Sequence, residues 1–242
     1  MRLLVTAGNT HTPIDQVRVI TNIFTGRTGA AIAVEAWRRG HQVTLLTSHP
    51  EALAELHPPA EDARWSLHPY RTFDDLASAL PHALAQQSYH AVVHVAAVSD
   101  YQLSGVYVID PTSGQWRDVH APKIPSSYPE LWLRLTPTPK LIDRIRRQWH
   151  FRGLLVKFKL EVACPESELL QVAEQSRQQS QADLMVANTL EQLQQWAWLG
   201  PWQGKYLRVC RSELPARLCQ TLELLNSQRP CSDSSEPSTG IA

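Results

Sequence analysis

Short apolar runs alternate with longer amphipathic stretches along most of this chain, the pattern of a parallel sheet covered by helices on both faces. Leu3-Leu4-Val5 opens the series, in a strand predicted over 2–7 that ends on Thr6-Ala7-Gly8. A helix is predicted over 28–39, with basic residues in its last turn and Gly40 as its stop. Strands follow at 42–47 and 66–70. Thr72 to Leu76 reads as a capping box with Asp75 in place of Glu or Gln, and Pro81 is expected to end or kink the helix it opens. Residues 90–96 form the most buried-looking strand. Later elements are predicted as helices over 139–149, 166–181 and 214–225, and strands over 153–160, 183–187 and 206–209. Trp196, Trp198 and Trp202 around Gly200-Pro201 read as an aromatic surface loop. The resulting expectation is an α/β fold, a doubly wound and mostly parallel Rossmann-like sheet in one domain over 1–226. From about Ser227 onward Ser, Pro, Asp and Glu predominate, predicting a disordered tail over 227–242.

Two places break the alternation. After Gly8 the helix signal is delayed until Gly26-Arg27-Thr28-Gly29, leaving a polar segment that carries Asp15, Arg18 and Asn22. A long connection at the carboxyl end of a first strand is where open α/β sheets place their chemistry. The second break spans 101–135. Residues 106–110 and 115–119 flank Pro111-Thr112-Ser113-Gly114 as a hairpin, and 131–135 is another strand candidate. An excursion of this length is a functional or oligomerisation flap more often than filler.

Composition narrows the function classes. The 242 residues hold 43% hydrophobic and 19% charged residues, as in a globular domain with a substantial core. Twenty-three basic and 23 acidic residues cancel, so no polyanion-binding field is expected and nucleic acid is an improbable partner. The longest apolar run, 91–98, is too short to cross a bilayer, and no signal-peptide pattern follows Arg2; the expected compartment is the cytoplasm. Cys164, Cys210, Cys219 and Cys231 lack C-x-x-C spacing and read as reduced thiols. His94, inside an apolar strand, reads as a hydrogen-bonded core residue.

The opening segment TAG-x-T-x-x-PID-x-VR-x-ITN-x-x-x-G-x-x-G resembles phosphopantothenate–cysteine ligase, and three later blocks fit in order: AAVSDY at 96–101, KIPSS at 123–127, and FKLEV at 158–162 with ADLMVAN at 182–188. The resemblance covers roughly residues 3–190 and is nearest the free-standing form, because no decarboxylase domain precedes the first strand. It implies activation of the 4′-phosphopantothenate carboxylate as an acyl-nucleotidylate, using CTP or ATP with Mg²⁺, followed by amide formation with cysteine. It also implies a homodimer, with the 101–135 region forming part of the interface and closing over the active site.

Within this resemblance Asn22 would hold the acyl-nucleotidylate, Lys123 would reach the reacting phosphate and acyl groups, and Arg18 would clamp a phosphate or carboxylate. The nucleotide would lie along Gly8, Gly26, Gly29, Ala96, Asp100, Pro139, Phe158 and Arg177; no residue is assigned to the metal. Gly26 and Gly29 also suit this task independently, since a glycine-opened helix start presents N–H groups and a positive dipole end to an anion. Each residue has a plainer reading: a packing glycine, a loop asparagine, a helix-capping Asp100, a solvated Arg18 or Lys123, a core Phe158. Several positions depart from the family pattern. Asn9 replaces a glycine or proline, Phe24-Thr25-Gly26-Arg27 replaces a serine-rich turn, and Arg177 is the one cation where relatives carry lysines that contact the triphosphate. A nucleotide-binding relative without turnover therefore stays open. A short-chain NAD(P) oxidoreductase fits less well, because G-x-G-x-x-G and Tyr-x-x-x-Lys are missing and Thr47-Ser48-His49 follows strand two without an acid.

Overall fold

The computed structural model describes residues 1–110 and 112–229. In chain order its first half runs β1 (Arg2–Ala7), β2 (His11–Pro13), β3 (Val19–Thr21), α1 (Arg27–Arg38), β4 (Gln42–Thr47), β5 (Trp65–Pro69), α2 (Phe73–Gln86) and β6 (Ala91–His94). The second half runs β7 (Tyr101–Ile109), β8 (Trp116–Asp118), β9 (Trp132–Pro137), α3 (Leu141–Arg147), β10 (Leu154–Glu161), α4 (Glu166–Gln179), β11 (Leu184–Thr189), β12 (Trp196–Trp202), β13 (Lys205–Cys210) and α5 (Leu214–Ser227).

Eight strands form the central sheet in the order β13-β12-β11-β10-β6-β1-β4-β5. From β5 to β11 every pairing is parallel, which is the doubly wound arrangement, with its reversal between β1 and β6. Parallel strands covered on both faces need apolar residues at consecutive positions, and Leu3, Leu4 and Val5 are all fully buried. One face is covered by α1 and α5 through Ala33, Ala36, Leu214 and Leu218. The other is covered by α2 and α3 through Leu76, Leu80, Leu141 and Ile145, and by α4 through Leu169 and Ala173. Arg39 and His41 both reach Glu223, at 2.6 and 2.7 Å, and so tie the end of α1 to α5.

The sequence expectations hold for most elements, with ends shifted by a few residues. Thr72 and Asp75 do form a capping box, and Gly40 turns with φ +87°. Pro81 neither ends nor visibly divides α2, which continues to Gln86. Leu76 and Leu80 before it and Ala83 after it share one buried cluster, so packing holds both halves in line. The tryptophan loop is also corrected: residues 196–202 are β12, paired antiparallel on both sides. Gly200-Pro201 reads as a turn in isolation, yet it sits where the register between β12 and β13 shifts, a position that tolerates proline. The helix predicted over 139–149 is trimmed to α3, and α5 extends to Ser227, past the expected domain end. Pro111, Cys231 and the tail over 230–242 lie outside the described residues. No helix among those described is long and apolar enough to cross a membrane.

His94 is buried, as its place in an apolar strand implies, with Nδ1 3.0 Å from Thr6 Oγ1. Burial, assisted by the positive charge of Lys157, lowers its pKa from 6.5 to about 4. Between those values the unfolded chain takes up a proton that the folded chain excludes, so stability falls as pH drops through this window. The loss approaches ~3 kcal/mol when the whole interval is crossed. Chemical denaturation at pH 7 and pH 4.5 should register this decline, and His94→Gln should flatten it.

Candidate active site

The sheet reverses between β1 and β6, and the carboxyl ends of these two strands open the crevice where such folds bind ligands. Gly8 follows β1 with φ +88°, and Gly26 caps α1 with φ +78°. The two glycines touch through their backbones: a Cβ on Gly26 would stand 2.8 Å from Gly8 Cα and closer still to its amide nitrogen. Gly29 faces inward instead, where a Cβ would strike Ala7 and come within 3.0 Å of the Thr6 carbonyl. Gly8 and Gly26 thus shape a turn, while Gly29 lets α1 approach β1.

The long connection after Gly8 is an ordered hairpin, β2 paired with β3, where the sequence pattern shows only a polar segment. Its base is sewn to the β6 end. Asn22 Nδ2 donates to the Ala97 carbonyl at 3.0 Å, and Asn9 Nδ2 donates to the Asn22 carbonyl at 2.6 Å. Ala97 N–H reaches the Gly8 carbonyl at 2.8 Å, and Ser99 N–H reaches Thr10 Oγ1 at 2.8 Å. Asn9 is buried, so its departure from the family's glycine or proline adds an amide that fixes Asn22. Ala96 N–H donates to Thr6 Oγ1 at 3.2 Å. Asp100 is exposed and ion-paired with Lys140 at 2.5 Å rather than capping a helix; Pro139 precedes that lysine, also exposed. Phe158, partly buried, packs toward the α1 and α5 core.

Asn22, Gly8, Gly26 and Ala96 therefore gather where the sheet reverses, and Asp100 follows four residues after Ala96. Lys123 and Arg177 do not join them. Lys123 is exposed, and its segment lies against the hairpin's far tip: Gln16 N–H donates to the Pro122 carbonyl at 3.0 Å and Ile124 N–H to Asp15 Oδ2 at 3.1 Å. Roughly 10 Å of strand separates that tip from Asn22. Arg18 belongs to the same tip. Its Nε donates to Asp15 at 3.0 Å and its Nη2 donates to both Asp15 and the Ile124 carbonyl, leaving Nη1 without a partner among the described residues. The guanidinium holds the Asp15 carboxyl well below the usual carboxylate range. A groove of about 900 Å³ runs beside this tip, lined by Ile14, Asp15, Arg71, Val119, Pro122 and Ile124.

Arg177 lies at the opposite edge of the sheet. Its fork bonds Glu174 at 2.6 and 2.8 Å, and Nη1 donates to the Ala182 carbonyl at 2.7 Å, just before β11 begins. It serves the turn from α4 into β11, away from Gly8 and Gly26. Two residues of the crevice, Asn9 and Lys140, were not singled out from the sequence as ligands or supports; only their contacts reveal them.

The family model for the DNA/pantothenate metabolism flavoprotein C-terminal domain matches residues 1–197. The chain belongs to this family. Among similar proteins of this group, the coenzyme A biosynthesis bifunctional protein CoaBC of Thermococcus kodakarensis is 35% identical over 190 residues, 78% of this chain and 41% of that one. The Escherichia coli protein of the same name is 28% identical over 195 residues, 79% of this chain and 42% of its own length. The chain thus spans less than half the length of these relatives. A DNA/pantothenate metabolism flavoprotein from Streptococcus pneumoniae has a similar crystal structure, with TM-score 0.78 at 26% identity, covering 93% of this chain and 99% of that one. The family's fold agrees with the parallel sheet described above, antiparallel strands β12 and β13 being added at one edge.

Proposed function

We propose that this protein is a phosphopantothenate–cysteine ligase. The observation that carries the reading is the joint at the sheet reversal, where Asn22 is pinned to Ala97 beside the backbone contact of Gly8 and Gly26. Family membership supports it, as does the resemblance to proteins named for coenzyme A biosynthesis.

A carboxylate resists amines, so it must first become a better electrophile. In the proposed reaction a carboxylate oxygen of 4′-phosphopantothenate attacks the α-phosphorus of CTP or ATP, and the bond to the leaving pyrophosphate breaks. The cysteine nitrogen then attacks the acyl carbon, the nucleoside monophosphate leaves with the bonding pair, and the amine gives up a proton to solvent. Backbone N–H groups at the start of α1 would receive phosphate oxygens. Asn22 would orient the acyl phosphoanhydride through its amide. Asp100 and Phe158 would border the nucleotide, and Asp15 with Arg18 would hold the segment bearing Lys123.

A Mg²⁺ ion is proposed to accompany the nucleotide, and the exposed carboxylate of Asp100, now paired with Lys140, is an oxygen donor of the kind that would help hold it. Such an ion would spread the negative charge of the phosphates. The cytoplasm is the proposed compartment, and a homodimer the proposed assembly. The three-stranded sheet β8-β7-β9 leaves Trp116 and Trp132 exposed, edge to face at 5.2 Å on the side turned away from Val106 and Leu133, a face suited to a second copy.

Purified protein given 4′-phosphopantothenate, cysteine, Mg²⁺ and either CTP or ATP should release pyrophosphate. Nucleotide binding without turnover would instead favour a non-catalytic relative, the reading motivated by Arg177's engagement elsewhere. Lys123→Gln should lower ligation without altering the melting temperature, because Lys123 is exposed. If the flap acts on the partner's site, mixing Lys123→Gln with an Asn22 variant should restore part of the activity, since each mixed dimer then holds one intact site.

A further inference from the structure

Arg211 stands between β13 and α5, beyond the region matched by the family model. Because β12 runs antiparallel to β11 and β13 antiparallel to β12, β13 again points with the parallel strands. Its end therefore lies at the same edge as Gly8, and α5 starts beside the start of α1. There the Arg211 guanidinium donates from Nη2 to Thr28 Oγ1 in the first turn of α1, while its backbone N–H holds the Gln195 carbonyl at 2.9 Å.

Nothing negative meets this group. Among the described residues Arg211 has no carboxylate within ion-pairing distance, although most half-buried arginines here have one: Arg39, Arg146 and Arg177 all do. Burial pushes its guanidinium below the usual arginine range, and no neighbouring acid opposes the effect. The helix start it touches is equally bare. Gly26 provides no side-chain cap, the first turn contains no acidic residue, and the N–H groups of Arg27, Thr28 and Gly29 have no partner among the described residues. A desolvated cation and three open N–H groups at one spot leave a shared deficit of negative charge, which an anion with several oxygens would satisfy.

Building on the ligase reading, we infer that Arg211 binds the triphosphate tail of the nucleotide at the start of α1. It supplies the cation that Arg177, at the other edge of the sheet, does not.

Calorimetric titration of wild type, Arg211→Gln and Arg211→Lys with CTP, ATP, the corresponding nucleosides and tripolyphosphate tests this assignment. Loss of one charge-assisted contact should weaken triphosphate binding about 10- to 100-fold in Arg211→Gln while leaving nucleoside binding unchanged. Arg211→Lys should recover much of the loss, and in turnover the nucleotide KM should rise more than the cysteine KM. Equal triphosphate affinities in wild type and folded Arg211→Gln would overturn the Arg211 assignment alone. Wild type that binds neither triphosphate nor tripolyphosphate would overturn both the assignment and the ligase reading. If Arg211→Gln does not fold, Arg211→Met decides: a loss confined to phosphate-bearing ligands supports the contact, and unchanged affinities refute it.

Discussion

Gly26→Ala is expected to abolish most nucleotide binding and to lower stability together. At φ +78° an alanine sits in the left-handed region, at about 1–2 kcal/mol. Its Cβ would also meet the Gly8 backbone, which cannot rotate aside as a flexible side chain would. Overpacking of this kind adds about 1–3 kcal/mol. The only relief is to part α1 from the β1 turn, and that opens the cradle in which phosphate oxygens would be received. Thermal melting should show the stability loss, and calorimetry with CTP or ATP should show affinity falling at least about 100-fold if two backbone donors are displaced. Wild-type affinity in this variant would mean that the glycine contact plays no part in binding.

Asn22→Asp should be the most damaging exposed substitution. Asn22 donates to the Ala97 carbonyl while its own carbonyl receives Asn9. Aspartate has the same shape but no donor, so it places a negative oxygen against a carbonyl and near the proposed phosphates. Removing one positioned donor from an acyl-transfer site typically lowers turnover about 10²- to 10³-fold, and charge repulsion adds to that. Because Asn22 is exposed, the fold should survive, with an unchanged circular dichroism spectrum. Normal pyrophosphate release by this variant would remove Asn22 from the chemistry.

The sheet was legible because parallel strands in a doubly wound fold must be apolar at consecutive positions, and 2–7, 42–47 and 90–96 are. The hairpin after Gly8 was not. Val19, Ile20 and Thr21 are exposed, and their order comes from pairing with His11, Thr12 and Pro13 and from the anchoring of neighbouring Thr10 and Asn22 to Ser99 and Ala97, which no local pattern encodes. β12 escaped because Gly200-Pro201 carries the stronger turn signal, and only its two neighbouring strands outweigh that.

The site divides in the same way. Motif spacing singled out Asn22, Gly26 and Asp100; the structure places Asn22 and Gly26 by the sheet reversal and pairs Asp100 with Lys140. It also singled out Arg177, which faces the other edge of the sheet, because proximity to a motif in sequence does not say which edge a helix end faces. It passed over Arg211, whose partner Thr28 is 183 positions away and whose type and position describe an ordinary solvated residue.

The meeting of Gly8 and Gly26 is a contact between main chains, and the groups that would receive an anion beside it are amides. Main-chain architecture of this sort is insulated from drift in the letters around it. Asn9, Phe24 and Arg27 can each differ from their relatives while the receptor keeps its shape. Under the proposed reading, preference for one nucleobase over another would then evolve outside this joint, independently of how the phosphates are gripped.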